Sequence, residues 1–508
     1  MKRRTFLTAS AAASAAASGA VALAAPPVSA ASASSAARPG KAATRPGGRG
    51  VEDQLRGWFA DTYRSLEAMV ADSGLPCDAL TLSGERPTRS ENTSVTNIGC
   101  WLWSTVAAAG LGVIGEEEML RRLSATVATI ERMERLHGFW FNWYNTFTGE
   151  VLDEWPGSGD PVAHLLSTVD NGWLDVGLRV AEDAADPADP ALRDRIRALR
   201  AGVDWSFFYA PFDQDDPVAR PGQMHTGFQV AEGRLAPSFY GALNSETRIA
   251  SYLGIGDGTV PSDHYWHMMR TQAPGVEQEM PPTGEWVTVD GVRTFRGHYV
   301  YRGRKVVPGW GGSMFEALMP PLFVPDAEWS PRSWGLNHRR VVLGHRDHGL
   351  LDAEYGYWGF SPCNVPEGGY QEYGVQWLGM SPTGYCSNTD RTYVPYGEEM
   401  PDPSAWTNGV ATPHASFLAL PFGARDAFEN LRRLARDFDL YEEGMGFRDS
   451  VNVRTGRVSD AMLSLDQGMT AAALAQVLRP GLLQRPFRTG RFARRLRPVL
   501  AREDFGIA

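Results

Sequence analysis

Cysteine is scarce: four residues in 508, at Cys77, Cys100, Cys363 and Cys386, with no CxxC pair. That spacing argues against a zinc cluster, and it leaves room for one or two disulfides without favouring any pairing. Long apolar runs are absent beyond the N-terminal region, so no stable membrane span is expected. Excess basic charge is absent too: the formal net charge is −10 and the pI about 5.6, which argues against nucleic acid as the main partner. No HExxH, P-loop or dinucleotide fingerprint follows a plausible strand. "GGSMF" (311–315) departs from the G-x-S-x-G of a nucleophile elbow. "HRDH" (345–348) offers an i,i+3 histidine pair, too little for a metal site, so neither metal nor cofactor is expected.

The N-terminus sets the compartment. "KRRTFL" (2–7) is a twin-arginine signature, followed by an Ala-rich run in which Ala22-Leu23-Ala24 and Val28-Ser29-Ala30 both suit a signal peptidase. Residues 1–30 are therefore read as a signal for the twin-arginine translocation machinery, and the protein as secreted or periplasmic. Residues 31–50, rich in Ala, Ser, Pro and Gly, read as a disordered linker. From Val51 onward roughly 460 residues remain, with no second break in composition, and 51–508 is read as one catalytic domain.

Helix follows helix along that domain. Residues 51–72 place Leu55, Trp58, Phe59, Tyr63, Leu66 and Val70 at helical spacing. Residues 96–112 are apolar nearly all round, as a buried inner helix would be, whereas 115–136 are amphipathic with acids in the first turn. Residues 163–183 and 190–210 repeat the alternation. Later helices are expected to start near Asn244, Ser313, Thr412, Ala424, Ser459 and Pro480, interrupted by short strands such as "WVTVDGVRTFRGHYVY". Apolar helices alternating with amphipathic ones point to an inner and an outer layer. The fold class is thus all-α, an (α/α)6 toroid whose short β pieces lie in rim loops, with a ringless multi-helix domain as the alternative.

Five acids stand in aromatic or apolar surroundings: Glu154 beside Trp155, Asp170 near Trp173, Glu246 in "NSETRIASYLG", Glu316 in "GGSMFEALMP" and Glu372 in "PEGGYQEYGVQW". Glu316 is the oddest, a lone carboxylate in a run that would otherwise be buried. Each acid has a structural reading, as a salt bridge or helix cap, beside the functional one. The 16 Trp, 16 Tyr and 22 Phe mostly fill the core, but those next to acids also suit a sugar cleft, where flat rings stack on sugar faces. A lyase-type set, drawn from "SDHYWHMMR" (262–270) and Asn145, is a lesser alternative.

The order of the motifs carries a resemblance. "TSVTNIGCWLWST" (93–105), "GFWFNWYNTFTGEVL" (138–152), "STVDNGWL" (167–174), "SETRIASYLGIGDGTVP" (245–261) and "GWGGSMFEALMP" (309–320) come first. "YGYWGFSPC" (355–363), "GVATPHASFLALPF" (409–422), "EEGMGFRDSVN" (442–452) and "DQGMTAAALAQVL" (466–478) follow. This succession resembles the glycoamylase-type domain of bacterial endo-β-1,2-glucanases, family 144 of the glycoside hydrolases, and the cyclising region of cyclic β-1,2-glucan synthases. The resemblance implies an (α/α)6 toroid, an oligo- or polysaccharide substrate and hydrolysis of internal β-1,2-glucan bonds by paired carboxylates. It places catalytic candidates at Glu246 (general acid), Asp170 and Glu316. Glu154 and Glu372 are read as substrate-binding, and Trp143, Trp173, Trp310 and Trp358 as stacking platforms. Two family acids are missing, at Leu166 and Pro362; Glu367 or Glu372 is the substitute for the second. A transglycosylase, a hydrolase of another envelope glycan, and a non-catalytic carbohydrate-binding protein on the same scaffold remain the competing readings.

The compartment expectation is tested by changing Arg3→Lys and Arg4→Lys together. The expected outcome is that precursor stays in the cytoplasm on fractionation; normal export of the double variant would show that the signal was misread.

Overall fold

The chain is known as a computed structural model, which describes residues 50–84, 86–382 and 401–508. The expected signal peptide, nearly all of the expected linker, and Cys386 lie outside the described residues.

The first helix, α1 (Val51–Met69), buries Leu55, Trp58, Phe59, Tyr63 and Leu66 on one face. The next, α2 (Val95–Gly110), is buried at every position from Val95 to Ala108, as its all-round apolar sequence predicts. In α3 (Glu116–Ile130) three glutamates occupy the first turn, where the helix dipole favours them, and Leu123, Val127 and Ile130 face inward. The expected helix over 163–183 starts later, as α4 (Thr168–Ala185), because Leu165–Ser167 pairs as a strand with Gly227–Gln229 and Ser167 then caps the helix. The expected helix over 190–210 ends early, as α5 (Pro190–Arg200): the Asp204 side chain accepts from Ser206 N and starts a separate turn. Then come α6 (Arg248–Asp257), closed by Gly258 at φ 74°, and the single turn α7 (His264–His267). Short α8 (Met314–Leu318) stops before Pro320 and Pro321 and leads to α9 (Asp326–Trp329) and α10 (Trp334–Asp347). Two starts were expected at Thr412 and Ala424; α11 (Pro413–Asp437) supplies both, because Pro421 and non-helical Gly423 break it between a buried first half and an amphipathic second half. The chain ends through α12 (Ser464–Leu478), α13 (Arg485–Arg488) and α14 (Gly490–Leu500).

The contacts follow a simple order. Helix α12 packs on α2, α2 on α4, and α4 on α6. Arg248 at the start of α6 donates to the Glu316 and Ala317 carbonyls of α8 at 3.0 and 2.9 Å, α8 packs on α11, and α11 returns to α12. The amphipathic helices lie against these: α1 on α12 and α2, α3 on α2, α5 on α4, α14 on α6 and α10 on α11. The strands are short, in sheets of two or three. The expected strand pair is a hairpin of Thr283–Val289 with Val292–Tyr301, turned by Asp290 and Gly291 at φ 52° and 84°. Among the described residues no helix is long and apolar enough to cross a membrane, and Cys77, Cys100 and Cys363 are buried free thiols.

Glycines let α2 and α4 touch backbone to backbone. A Cβ on Gly99 would stand 2.4 Å from Trp173 O, and one on Gly177 would stand 2.6 Å from Gly99 Cα. Backbone cannot give way as a side chain does, so Gly99→Ala is expected to destabilise the protein by about 1–3 kcal/mol. Denaturant titration measures this; unchanged stability would mean that the two helices do not approach so closely.

Candidate active site

One set of buried and half-buried polar groups lies near the N-terminal ends of α2, α4, α6, α8 and α12. Glu246 sits not on the apolar face of a helix, as expected, but in the turn that enters α6, where its carbonyl accepts from Ile249 N at 3.1 Å. Its side chain is half-buried, and Oε2 accepts from Ser245 Oγ at 2.8 Å. Burial first, and then the negative charge of Glu316, raise the Glu246 carboxyl to about 8, against the opposing pull of Ser245 and Arg248. At neutral pH it holds its proton.

Glu316 resolves its oddity differently from the expectation that it faces a cavity. It is 2 % exposed and closes a capping box at the start of α8: Ser313 Oγ accepts from Glu316 N at 3.3 Å, and Ser313 N donates to Glu316 Oε2 at 2.9 Å. Trp310 N and Gly311 N donate to Oε1 at 2.8 and 3.1 Å, and Ser313 Oγ to Oε2 at 3.2 Å. A carboxylate so supplied with donors is stable as an anion despite burial.

Asp170 lies in the first turn of α4, half-buried. Thr96 Oγ1, from the start of α2, donates to its Oδ1 at 2.6 Å, and Ser167 Oγ donates to its Oδ2. With its amide turned to satisfy both neighbours, Asn142 donates to Asp170 Oδ2 at 2.9 Å and accepts from Trp143 Nε1 at 3.0 Å. Burial outweighs the Ser167 and Thr96 donors and raises the Asp170 carboxyl above its ordinary value. Tyr240 stands between the two acids: burial and then the charges of Asp170 and Glu246 push its hydroxyl well above the ordinary value, so it stays neutral. On the other side of Asp170 is Asp78, which accepts from Asn97 Nδ2 at 2.7 Å and adds its charge to Asp170, Asp449 and Asp466.

Asp449, Asp466 and His414 form a group that sequence reasoning missed, although "GFRDSVN", "DQGMT" and "TPHASF" contain them. One ligand atom from each lies within 4.8 Å of the others, and all three residues are buried. Burial and the Asp449 charge hold Asp466 well above the carboxylate range, so it keeps a proton and hydrogen-bonds Asp449, which also accepts from Asn364 N at 2.5 Å. Burial lowers His414 to about 3, so its imidazole is neutral, with Nδ1 3.4 Å from Asp466 Oδ2. Pairwise electrostatic influence links Glu316, Glu246, Tyr240, Asp170, Asp78, Asp466 and Asp449 into one series of ionisable groups.

The other candidates divide. Trp143 and Trp310 are half-exposed, and Trp143 meets Trp155 edge-on at 5.1 Å, so both can offer a ring face. Trp173 cannot be a platform: it is 2 % exposed and packs on Trp103 and Phe323 inside the core. Trp358 is likewise buried, its carbonyl accepting from Asn430 Nδ2 at 2.7 Å. Both face the wrong way because the apolar side of an inner helix, or a loop packed under α11, is the nearest dry surface. Glu154 is exposed on the loop that carries Trp155, and Glu372 is nearly buried, close enough to Tyr370 to raise its hydroxyl. In "HRDH", His345 Nδ1 accepts from Phe360 N at 3.3 Å and His348 lies 3.5 Å from Asp352, so the pair serves the core.

Comparisons place this arrangement among known proteins. Residues 242–491 match the family model "Glycoamylase: Putative glucoamylase", a span that includes Glu246, Glu316, His414, Asp449 and Asp466 but not Asp170. The chain is 23 % identical over 575 residues to the cyclic beta-(1,2)-glucan synthase NdvB of Rhizobium meliloti (strain 1021); the match covers 86 % of this chain but only 18 % of that one, so the chain spans under a fifth of this relative's length. In structure it resembles the endo-beta-1,2-glucanase of Chitinophaga pinensis, solved with sophorotriose and glucose: TM-score 0.61, 16 % identity, covering 88 % of this chain and 98 % of that one. The beta-1,2-glucanase of Parabacteroides distasonis gives a TM-score of 0.64 at 16 % identity, covering 89 % and 60 %. These likenesses establish a shared helix-rich fold.

The proton on Glu246 has a stability consequence. Its folded-state value of about 8 lies above that of an unfolded glutamate, so the folded protein binds the proton more tightly. Between roughly pH 4.3 and the folded value the unfolded chain has lost a proton that the folded one keeps, and stability falls as pH rises. Glu246→Gln keeps the neutral shape and escapes that loss. Its Tm is expected to exceed the wild-type Tm by a margin that grows from pH 4 to pH 8; a margin independent of pH would show that Glu246 does not titrate there.

Proposed function

We propose that this chain, with its glycoamylase-family domain, is an exported glycoside hydrolase built as an (α/α)6 toroid that cleaves internal bonds of a β-1,2-linked glucan. The observation that carries the reading is a partly buried glutamic acid, raised to about 8 by burial and by the carboxylate of Glu316, so that it holds its proton at neutral pH. The cycle of contacts through α2, α4, α6, α8, α11 and α12 supports the toroid, and its N-terminal ends supply the cleft. The β-1,2-glucanases of similar fold support the substrate.

In this mechanism Glu246 donates its proton to the glycosidic oxygen as the bond to the anomeric carbon breaks. A second carboxylate takes a proton from the attacking water or stabilises the positive charge on the sugar. Asp170 is oriented for this by three donors and raised by burial toward the pH at which a base works, and Asp449, bonded by the Asp466 carboxyl, is the other candidate. Rings at Trp143 and Trp310 stack on sugar faces.

Linear β-1,2-glucan is the test substrate. The expected outcome is new reducing ends and short oligosaccharides, with starch and cellulose untouched. Glu246→Gln is expected to lower turnover by ~10²–10⁴-fold while leaving the fold intact. Asp170→Asn and Asp449→Asn separate base from binder: loss of kcat marks the base, a raised KM the binder. Cleavage of another glycan alone would remove the substrate, and an active Glu246→Gln enzyme would remove the mechanism.

A further inference from the structure

We propose that Glu316 is a positioning residue: a fixed, buried anion that keeps the proton on Glu246 until substrate arrives, without itself touching the sugar. The inference rests on Glu246 being the general acid of the reaction proposed above.

Three features of the geometry support it. First, both oxygens of Glu316 accept from Trp310 N, Gly311 N, Ser313 N and Ser313 Oγ, and the residue is 2 % exposed, so it has no face for a ligand. Second, Gly309 lies between this carboxylate and the segment leading to Glu246. A Cβ there would stand 2.9 Å from Glu316 Oε2 and 3.2 Å from Asn244 O, so only glycine admits so close an approach. Third, one arginine ties the residue before Glu246 to Glu316. Arg248 Nη1 donates to Ser245 O at 2.9 Å and to Glu316 O at 3.0 Å, and the whole side chain is buried.

The groups facing Glu246 then decide its state. Glu316 faces it from α8 with a negative charge. Among the described residues, Arg248 on α6 is a cation that acts on it, but Nη2 is turned to Ala317 O at 2.9 Å and to Asp326 Oδ2 at 3.3 Å, and Asp326 also bonds His338 at 3.0 Å. Tyr240 faces it from its strand as a neutral hydroxyl, and Asp170 adds negative charge beyond Tyr240. Of these described groups, the one that raises Glu246 most by its charge is Glu316, and the capping box holds it fixed. A like charge nearby disfavours ionisation.

The experiment is the pH dependence of kcat/KM for wild type and Glu316→Gln. A general acid works only while protonated, so activity falls as pH rises through its value. Removing the anion is expected to move this basic limb to lower pH by roughly 1–3 units. Thermal stability of the variant falls whether Glu316 is a charge or only a cap, so Tm does not discriminate; an unmoved basic limb in folded, active Glu316→Gln overturns the proposal. A second measurement needs neither that variant nor turnover. The infrared difference spectrum of wild type minus Glu246→Gln at pH 7 is expected to contain a protonated carboxyl band, and an ionised carboxylate band in its place overturns the proposal. A wild-type protein that hydrolyses no glycan but shows the protonated band would fail the functional reading while leaving the charge arrangement intact.

Discussion

Negative charge held inside a protein must be answered by donors, and in this structure the donors are largely the free N–H groups and hydroxyls at helix starts. Ser167 and Ser313 cap α4 and α8, and the acid three residues on, Asp170 or Glu316, turns back toward the same cap. The first turn of a helix carries unsatisfied N–H groups and the positive end of the dipole, so an anion is cheapest to bury there. Helices that start at one end of the molecule therefore bring their acids to that end. Asp170, Glu316 and Asp466 are the members of the series that lie in such first turns, and burial first, then a neighbouring carboxylate, holds the proton on Glu246 and Asp466.

Arg248 anchors the same region from below. Its guanidinium reaches three carbonyls and one carboxylate and lies over the Trp334 ring at 4.5 Å. Planar geometry and several fixed donors are what a lysine lacks. Through Asp326 and His338 the contact extends to α9 and α10, so the turn that carries Glu246 is tied to the outer layer as well as to α8. A catalytic group on a turn gains accuracy from such support.

Much of the architecture was legible in the sequence. All-round apolar segments became buried helices, amphipathic ones became the layer outside them, and the Asp-Gly of "VDGV" became a two-residue hairpin turn. Pro421 and Gly423 mark the break in α11 as the pattern suggested. The role of Glu316 was also written, in the Ser-x-x-Glu of a capping box, but the family likeness drew attention to a cleft instead. Trp173 and Trp358 show the limit of counting aromatics near acids, because adjacency along the chain does not say which side of a helix or loop is dry. Asp449 and Asp466 were hidden for another reason. Strand Ala461–Leu463 pairs with Ala79–Thr81, nearly four hundred residues away in the chain, and that pairing is what sets Asp466 beside Asp78.

The three described thiols bear on how the chain matures. Burial pushes Cys77 up to about 12 and raises Cys100 and Cys363 well beyond the ordinary thiol value, so each remains an unreactive, protonated side chain packed like a small apolar residue. The described architecture is thus held by packing, hydrogen bonds and ion pairs, with no disulfide among the described residues. Within the described residues, therefore, a thiol reductant finds no cross-link to cut.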